Sequence, residues 1–156
     1  MVAIGRGREK EKLAKDLGAH VYIDAAAENA AEALQRMGSV RTILATGTSG
    51  DAMAQLVPGL SARGKLIVVG APQDAIRLSS IPLIFGGRSI YGSLTGTPID
   101  SEDTLAFSVL QNIRPMIETF PLEKAADAYT RMMQGQARFR VVLVTKAGTA
   151  QKPTAK

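Results

Sequence analysis

Short apolar runs alternate with helix-length amphipathic segments along this chain, and glycine punctuates many of the junctions. That alternation allows few folds. "MVAIG" is a short β-branched run. Glu9 to Leu17 follows with Leu13, Ala14 and Leu17 on one helical face, and Gly18 sits where a left-handed residue ends a helix. "HVYID" reads as a second strand, Glu28 to Met37 as an alanine-rich helix closed by Gly38, and "RTILAT" as a third strand. Ser49 is placed to cap a helix that turns Met53, Leu56 and Val57 inward and ends at Pro58-Gly59. "KLIVVGAP", apolar without alternation, suits a strand buried on both faces of a parallel sheet.

Ser80 to Phe85 makes a short helical turn with Pro82 in its first turn, and "SIYGSL" is the next strand. Asp100 is expected to cap a helix carrying Leu105, Val109, Leu110 and Ile113. "PMIETF" is strand-like, Leu122 to Gln134 is a helix with Ala125, Ala126, Tyr129, Met132 and Met133 inward, and "FRVVLVT" closes the pattern. Strands linked by helices of this length predict a doubly wound parallel α/β sheet. It extends over residues 1–94; a second unit is expected at 95–146 and a flexible polar tail at 147–156. The GxGxxG turn that opens many nucleotide-binding sheets is absent from the sequence.

A net charge of +5 invites a nucleic-acid reading, but its location weakens it. Lys146, Lys152 and Lys156 sit in the acid-free tail, and setting those three aside leaves +2 for the body. Aromatic residues make up only 4%, too few for a base-stacking surface, so no nucleic-acid partner is expected. No apolar run approaches the ~20 residues of a membrane span, and the absence of cysteine excludes disulfides and thiolate metal sites. A cytoplasmic location without a membrane partner is the expectation.

Three features are candidates for chemistry. The turn "GRGREK" places Arg6, Arg8 and Lys10 just after a strand, where dinucleotide folds meet the adenosine ribose. A guanidinium there offers paired donors to a 2′-phosphate. A solvated turn leading into a basic helix, partly neutralised by Glu9 and Glu11, accounts for the same residues and is the simpler account of the turn alone. Next, "ATGTSG", "VGAP" and "YGSLTG" put small residues at three successive strand ends, where open α/β sheets bind ligands. Any one could be an ordinary turn; their recurrence favours a shared ligand site. Finally, Arg138 and Arg140 alternate with Phe139 and suit either a pyrophosphate or a solvated edge. His20, the only histidine, has no cysteine or second histidine with which to share a metal, and Asp100, Glu102 and Asp103 are explained by a helix start. No nucleophile–base pair and no metal constellation is legible.

"VAIGRGREKEKLAKDLGAHVYID", "TILATGTSGDAMAQLVPGLSARGKLIVVGAP" and "FPLEKAADAYTRMMQGQARFRVVLVT" resemble the zinc-containing medium-chain alcohol dehydrogenases, most closely the NADP-preferring cinnamyl-type branch. The likeness runs to about Lys146. It implies an incomplete Rossmann-like sheet lacking its first strand, with a C-terminal helix and strand extension, as in a C-terminal fragment of such a protein. It further implies NADP as cofactor, with Arg6 and either Arg8 or Lys10 at the 2′-phosphate. Thr46 and Gly47 would line the adenosine pocket, and Gly70, Ala71, Pro72, Gly92 and Ser93 would lie near the nicotinamide. Arg140 would meet the pyrophosphate. No residue matches a family zinc ligand or catalytic residue, so the chain alone is expected to be inactive; a non-catalytic nucleotide-binding or oligomerising module is the alternative. The family's dimers imply a homodimer through the edge strand at Ser89–Leu94. Because the strand missing from such a sheet is central, "VAIG" is expected to pair directly with "TILAT".

Overall fold

The computed structural model describes residues 1–145. The chain divides into two units, Met1–Gly96 and Thr97–Lys156; the tail expected at 147–156 lies outside the described residues. The architecture is α/β, and all four strand ladders among the described residues are parallel. No helix among them is long and apolar enough to cross a membrane.

In the first unit, β1 (Val2–Gly5) pairs with β2 (Val21–Asp24), Val2 opposite Val21 and Gly5 opposite Asp24. A turn of 3-10 helix at Arg8–Lys10 and α1 (Glu11–Asp16) connect them. Helix α2 (Ala30–Arg36) starts one turn after β2 because the Asn29 side chain accepts the N–H groups of Ala31 and Glu32, at 3.0 and 3.2 Å. It leads to β3 (Val40–Ala45), then α3 (Gly50–Leu56), whose Ser49 cap accepts from the Ala52 N–H as expected. A 3-10 turn at Val57–Gly59 enters β4 (Leu60–Val68). That strand begins at Leu60 rather than Lys65, since Leu60 belongs to the core and its register against β3 slips between Val40 and Thr42. Arg63, at φ 58°, and Gly64 absorb the slip as a bulge. Helix α4 (Ile81–Gly86) and β5 (Ser89–Gly92) complete the unit, with β5 paired only to β4.

The core lies where α2 meets the strands. Ile23, Leu34, Val57, Leu60 and Leu66 are its largest fully buried side chains, packed with Ile43 and Met53. Helix α2 seats on the Val57–Gly59 turn so closely that a Cβ on Gly59 would come within 2.8 Å of Leu34 Cδ1.

The expected pairing of β1 with β3 does not occur. β1 and β2 form a sheet of their own, while β3, β4 and β5 form another, and a slot of about 850 Å³ separates the edges of β1 and β3. Two forces account for the difference. Edge N–H and C=O groups facing an open slot are accessible to water, which removes the ~1–3 kcal/mol penalty of an orphaned buried group that would drive closure. Closing the slot would also have to displace Leu34, which lines it from α2 while anchored in the core, and full burial of a leucine is worth roughly 1.5–3 kcal/mol.

In the second unit, α5 (Pro98–Leu110) begins two residues before Asp100, the cap the sequence suggested. Thr97 is the cap. Asp100 reaches back from the first turn and accepts both the Thr97 N–H, at 2.7 Å, and its hydroxyl, at 2.6 Å. β6 (Ile117–Pro121) pairs with β7 (Arg140–Val144) across a 3-10 turn at Leu122–Lys124 and α6 (Ala125–Met133). Only Ala128 of α6 is buried; Ala126, Tyr129, Met132 and Met133, expected to face inward, are exposed.

Candidate functional site

At the carboxyl end of β1 the chain turns sharply and is held from two sides. The Gly7 N–H donates to Asp24 Oδ1 at 2.8 Å, and the Tyr22 hydroxyl donates to the Gly7 carbonyl at 2.8 Å. Gly7 adopts φ 89°, a conformation that favours glycine. At Gly5 a Cβ would sit 2.6 Å from the Tyr22 hydroxyl oxygen, so the glycines on either side of Arg6 let the backbone pass the ring. Lys10 bends back to donate to the Arg6 carbonyl at 2.8 Å and lies 3.9 Å from Glu9. The Arg6 guanidinium is exposed and has no partner among the described residues. With the Gly7 N–H bonded to Asp24 and Lys10 turned back onto the Arg6 carbonyl, the Arg6 guanidinium stays exposed at the turn.

Across the slot stand Thr46, Gly47, Thr48 and Ser49 at the end of β3. Arg6 and Lys10 line the same slot, and among the described residues that line it there is no carboxylate. Gly70, at the end of β4, abuts this loop: its N–H and that of Val69 both donate to the Ala45 carbonyl at 3.0 Å, and a Cβ on Gly70 would overlap the Gly47 carbonyl oxygen. Gly92 pairs with Val68, and the Ser93 N–H donates to the Val68 carbonyl at 2.9 Å. Thr46, Gly47, Gly70, Gly92 and Ser93 therefore stand at neighbouring carboxyl ends of β3, β4 and β5. Ala71 and Pro72 continue the β4 end into a loop. Arg8, Ala71, Pro72, Gly92 and Ser93 do not line the slot, and Arg140 opens β7 in the second unit. The Arg138 side chain is spent on the Gly135 and Ala137 carbonyls.

Three residues outside the sequence-based candidates organise the site. Tyr22 and Asp24 clamp the Gly7 turn, and Asp74 accepts the Gly50 and Asp51 N–H groups, at 2.8 and 3.2 Å, tying the loop after β4 to the start of α3. Asp24 carried a signal: an aspartate ending a strand and accepting from the N–H two residues on, here Ala26 at 3.0 Å, is a local turn motif. Asp74 carried none, because its partners lie far away along the chain.

Both carboxylates titrate below the usual range, Asp24 chiefly through the Gly7 N–H and then the Ala26 N–H, Asp74 chiefly through the Gly50 N–H and then that of Asp51. A depressed folded-state pKa stabilises the fold above the unfolded value, and that contribution disappears as pH falls through the folded value. Thermal melts of the wild type and Asp24→Asn should differ most near neutral pH, the variant melting lower. The gap should narrow below about pH 4. A gap that widens in acid would assign the stabilisation elsewhere.

No described residues suit a zinc ion. The sequence has no cysteine, and no three His, Asp or Glu side chains among the described residues gather as a metal requires. His20 Nδ1 lies 2.6 Å from the Met1 amino group.

Parallel strands with small residues and cations gathered at their carboxyl ends define a Rossmann-like α/β architecture. Solved structures agree on the fold: a cinnamyl alcohol dehydrogenase from Sorghum bicolor superposes with a TM-score of 0.82 at 23% identity, over 98% of this chain and 43% of its own. Benzyl alcohol dehydrogenase from Acinetobacter calcoaceticus gives 0.79 at 24% identity, over 92% and 42%. The family model for zinc-binding dehydrogenases matches residues 1–110, and the chain belongs to that family. Among curated relatives, an alcohol dehydrogenase from Aspergillus sp. (strain MF297-2) is 38% identical over 143 residues, 92% of this chain and 42% of its own length. One from Geobacillus stearothermophilus is 32% identical over 147 residues, 94% and 43%. The chain thus spans less than half the length of these relatives.

Proposed function

We propose that this chain is the cofactor-domain portion of an NADP(H)-dependent alcohol dehydrogenase acting in the cytoplasm. The observation that carries the reading is the free Arg6 guanidinium, supported by Lys10, in a slot mouth lined by no carboxylate among the described residues. NADP, when bound, supplies the hydride acceptor or donor. Arg6 would pair with its 2′-phosphate, with Lys10 and Arg8 adding charge. Thr46 and Gly47 would line the adenosine, and the backbone at Gly70, Ala71, Pro72, Gly92 and Ser93 would approach the nicotinamide. Arg140 would serve the pyrophosphate. Asp24, kept ionised by the Gly7 and Ala26 N–H groups, does not line the slot. The described residues do not form a zinc site, so no step of the reaction is assigned to this chain, and the chain by itself is expected to turn over no alcohol. The free outer edge of β5, with Tyr91 exposed, favours a homodimer through Ser89–Leu94; a module that only binds nucleotide or oligomerises is the second reading.

Calorimetric titration with NADP⁺ and NAD⁺ tests the cofactor. One charge-assisted contact is worth about 1.5–3 kcal/mol, so NADP⁺ should bind roughly tenfold or more tighter, and Arg6→Ala should erase the difference. Equal affinities in the wild type would remove Arg6 from the role.

A further inference from the structure

Arg6 is flanked by two glycines, which by themselves would leave its side chain on a loose hinge. The fold removes that freedom from β2. Tyr22 and Asp24 lie two residues apart and share one face of the strand, with Asp24 opposite Gly5. From that face the Tyr22 hydroxyl donates to the Gly7 carbonyl at 2.8 Å, and Asp24 Oδ1 accepts the Gly7 N–H at 2.8 Å. The half-buried Tyr22 ring lies over Gly5, where a Cβ would come within 3.3 Å of two ring carbons. On Gly7 a Cβ would overlap the Glu9 carboxylate. Burial first, and the Asp24 charge second, push the Tyr22 phenol above its ordinary range, so it remains a donor at neutral pH.

We propose that Tyr22 is a positioning residue for cofactor choice: by holding the Gly7 carbonyl, its hydroxyl fixes the backbone around Arg6 and so sets the preference for a ribose 2′-phosphate over a free 2′-hydroxyl. The inference rests on the cofactor reading of Arg6 and adds the residue that sets its geometry. A loose Gly-Arg-Gly turn would lose freedom on meeting the phosphate; one already bonded to Tyr22 has lost it beforehand. Asp24 holds the same turn with a different consequence. Its negative charge, beside the Gly7 N–H, disfavours a phosphate nearby, so replacing it mixes a geometric effect with an electrostatic one. Tyr22 is neutral, and Tyr22→Phe removes one oxygen without changing the charge of the turn.

The test titrates the full chain with adenosine 2′,5′-bisphosphate and adenosine 5′-monophosphate, which differ only by the 2′-phosphate. The wild type should favour the bisphosphate about tenfold or more. Tyr22→Phe should cut that preference about three- to tenfold by weakening the bisphosphate, with the monophosphate changed less than about twofold. In an Arg6→Ala background Tyr22→Phe should leave the ratio unchanged, since no guanidinium remains to be positioned. Amide ¹⁵N relaxation of the wild type adds a measurement without substitution: Gly7 should be as ordered as Ile4 in β1. A preference that Tyr22→Phe retains, equal weakening of both ligands, a further loss in the double variant, or a Gly7 more mobile than the strand would each overturn the role of Tyr22 alone. No binding, or equal affinities in the wild type, would overturn the cofactor reading and this proposal together.

Discussion

Leu34→Ala should lower stability by about 3 kcal/mol, within the ~2–5 kcal/mol span for truncating a buried leucine. Leu34 is 1% exposed and lies in the cluster that joins β2, α2, β3 and β4. Its Cδ1 also fills the space that the absent Gly59 Cβ leaves beneath α2. The side chain therefore holds two sheets that share no backbone bond. A domain of ordinary stability has only ~5–15 kcal/mol in hand, so a large part of it goes with one residue. Urea unfolding followed by far-ultraviolet circular dichroism should show the midpoint fall with little change in slope. Leu44→Ala is the control: Leu44 lies one residue from Ile43 on β3 but points the other way, is 61% exposed, and should cost under about 0.5 kcal/mol. Equal losses for the two variants would show that α2 does not hold the sheets.

Gly70→Ala should cost about 1–3 kcal/mol through overpacking and should also weaken dinucleotide binding tenfold or more. The added carbon meets backbone rather than a pliable side chain: the Gly47 carbonyl oxygen first, then the Thr46 carbonyl carbon at 2.9 Å. Relief must move the ends of β3 and β4 apart, straining the two bonds that the Ala45 carbonyl accepts. The same movement displaces Thr46 and Gly47, proposed to line the adenosine. Gly92→Ala provides the contrast, because nothing lies within 4 Å of its Cβ position. Calorimetry of both variants with NADP⁺ checks the expectation; unchanged affinity in Gly70→Ala would separate the strand ends from the cofactor.

Periodicity located the strands well, because a short β-branched run such as "VAIG" or "TILA" has few other ways to hide its side chains. It could not say which strands are neighbours. Pairing depends on how α2 seats on the turn after α3, and no local pattern records that, so β1 and β3 stand apart where the sequence suggested contact. The start of β4 was missed for a related reason: Arg63 and Gly64 look like a turn but serve as a bulge inside the strand. At α5, Pro98 in the first turn marks Thr97 as the cap more reliably than the acid at 100, whose carboxylate reaches backwards. The α6 stripe was legible as a stripe, yet within the described residues most of it meets no core. In the candidate site, glycines and cations could be read directly, being marked by type. Tyr22 and Asp74 could not, since their roles arise from partners brought near only by folding.

The ladders also bear on how the chain finds this arrangement. Val2 meets Val21, Thr42 meets Lys65, Lys65 meets Ser89 and Ile117 meets Arg140, so each pairing closes a loop of roughly twenty residues. Loops that short cost little entropy, and domains rich in them fold quickly. Each ladder joins a strand to the next in sequence, so each can form as soon as its second strand leaves the ribosome. The β1 to β3 junction, which would need a longer reach, is not made among the described residues. Synthesis from the amino end can therefore assemble these sheets in order, without waiting for any distant segment.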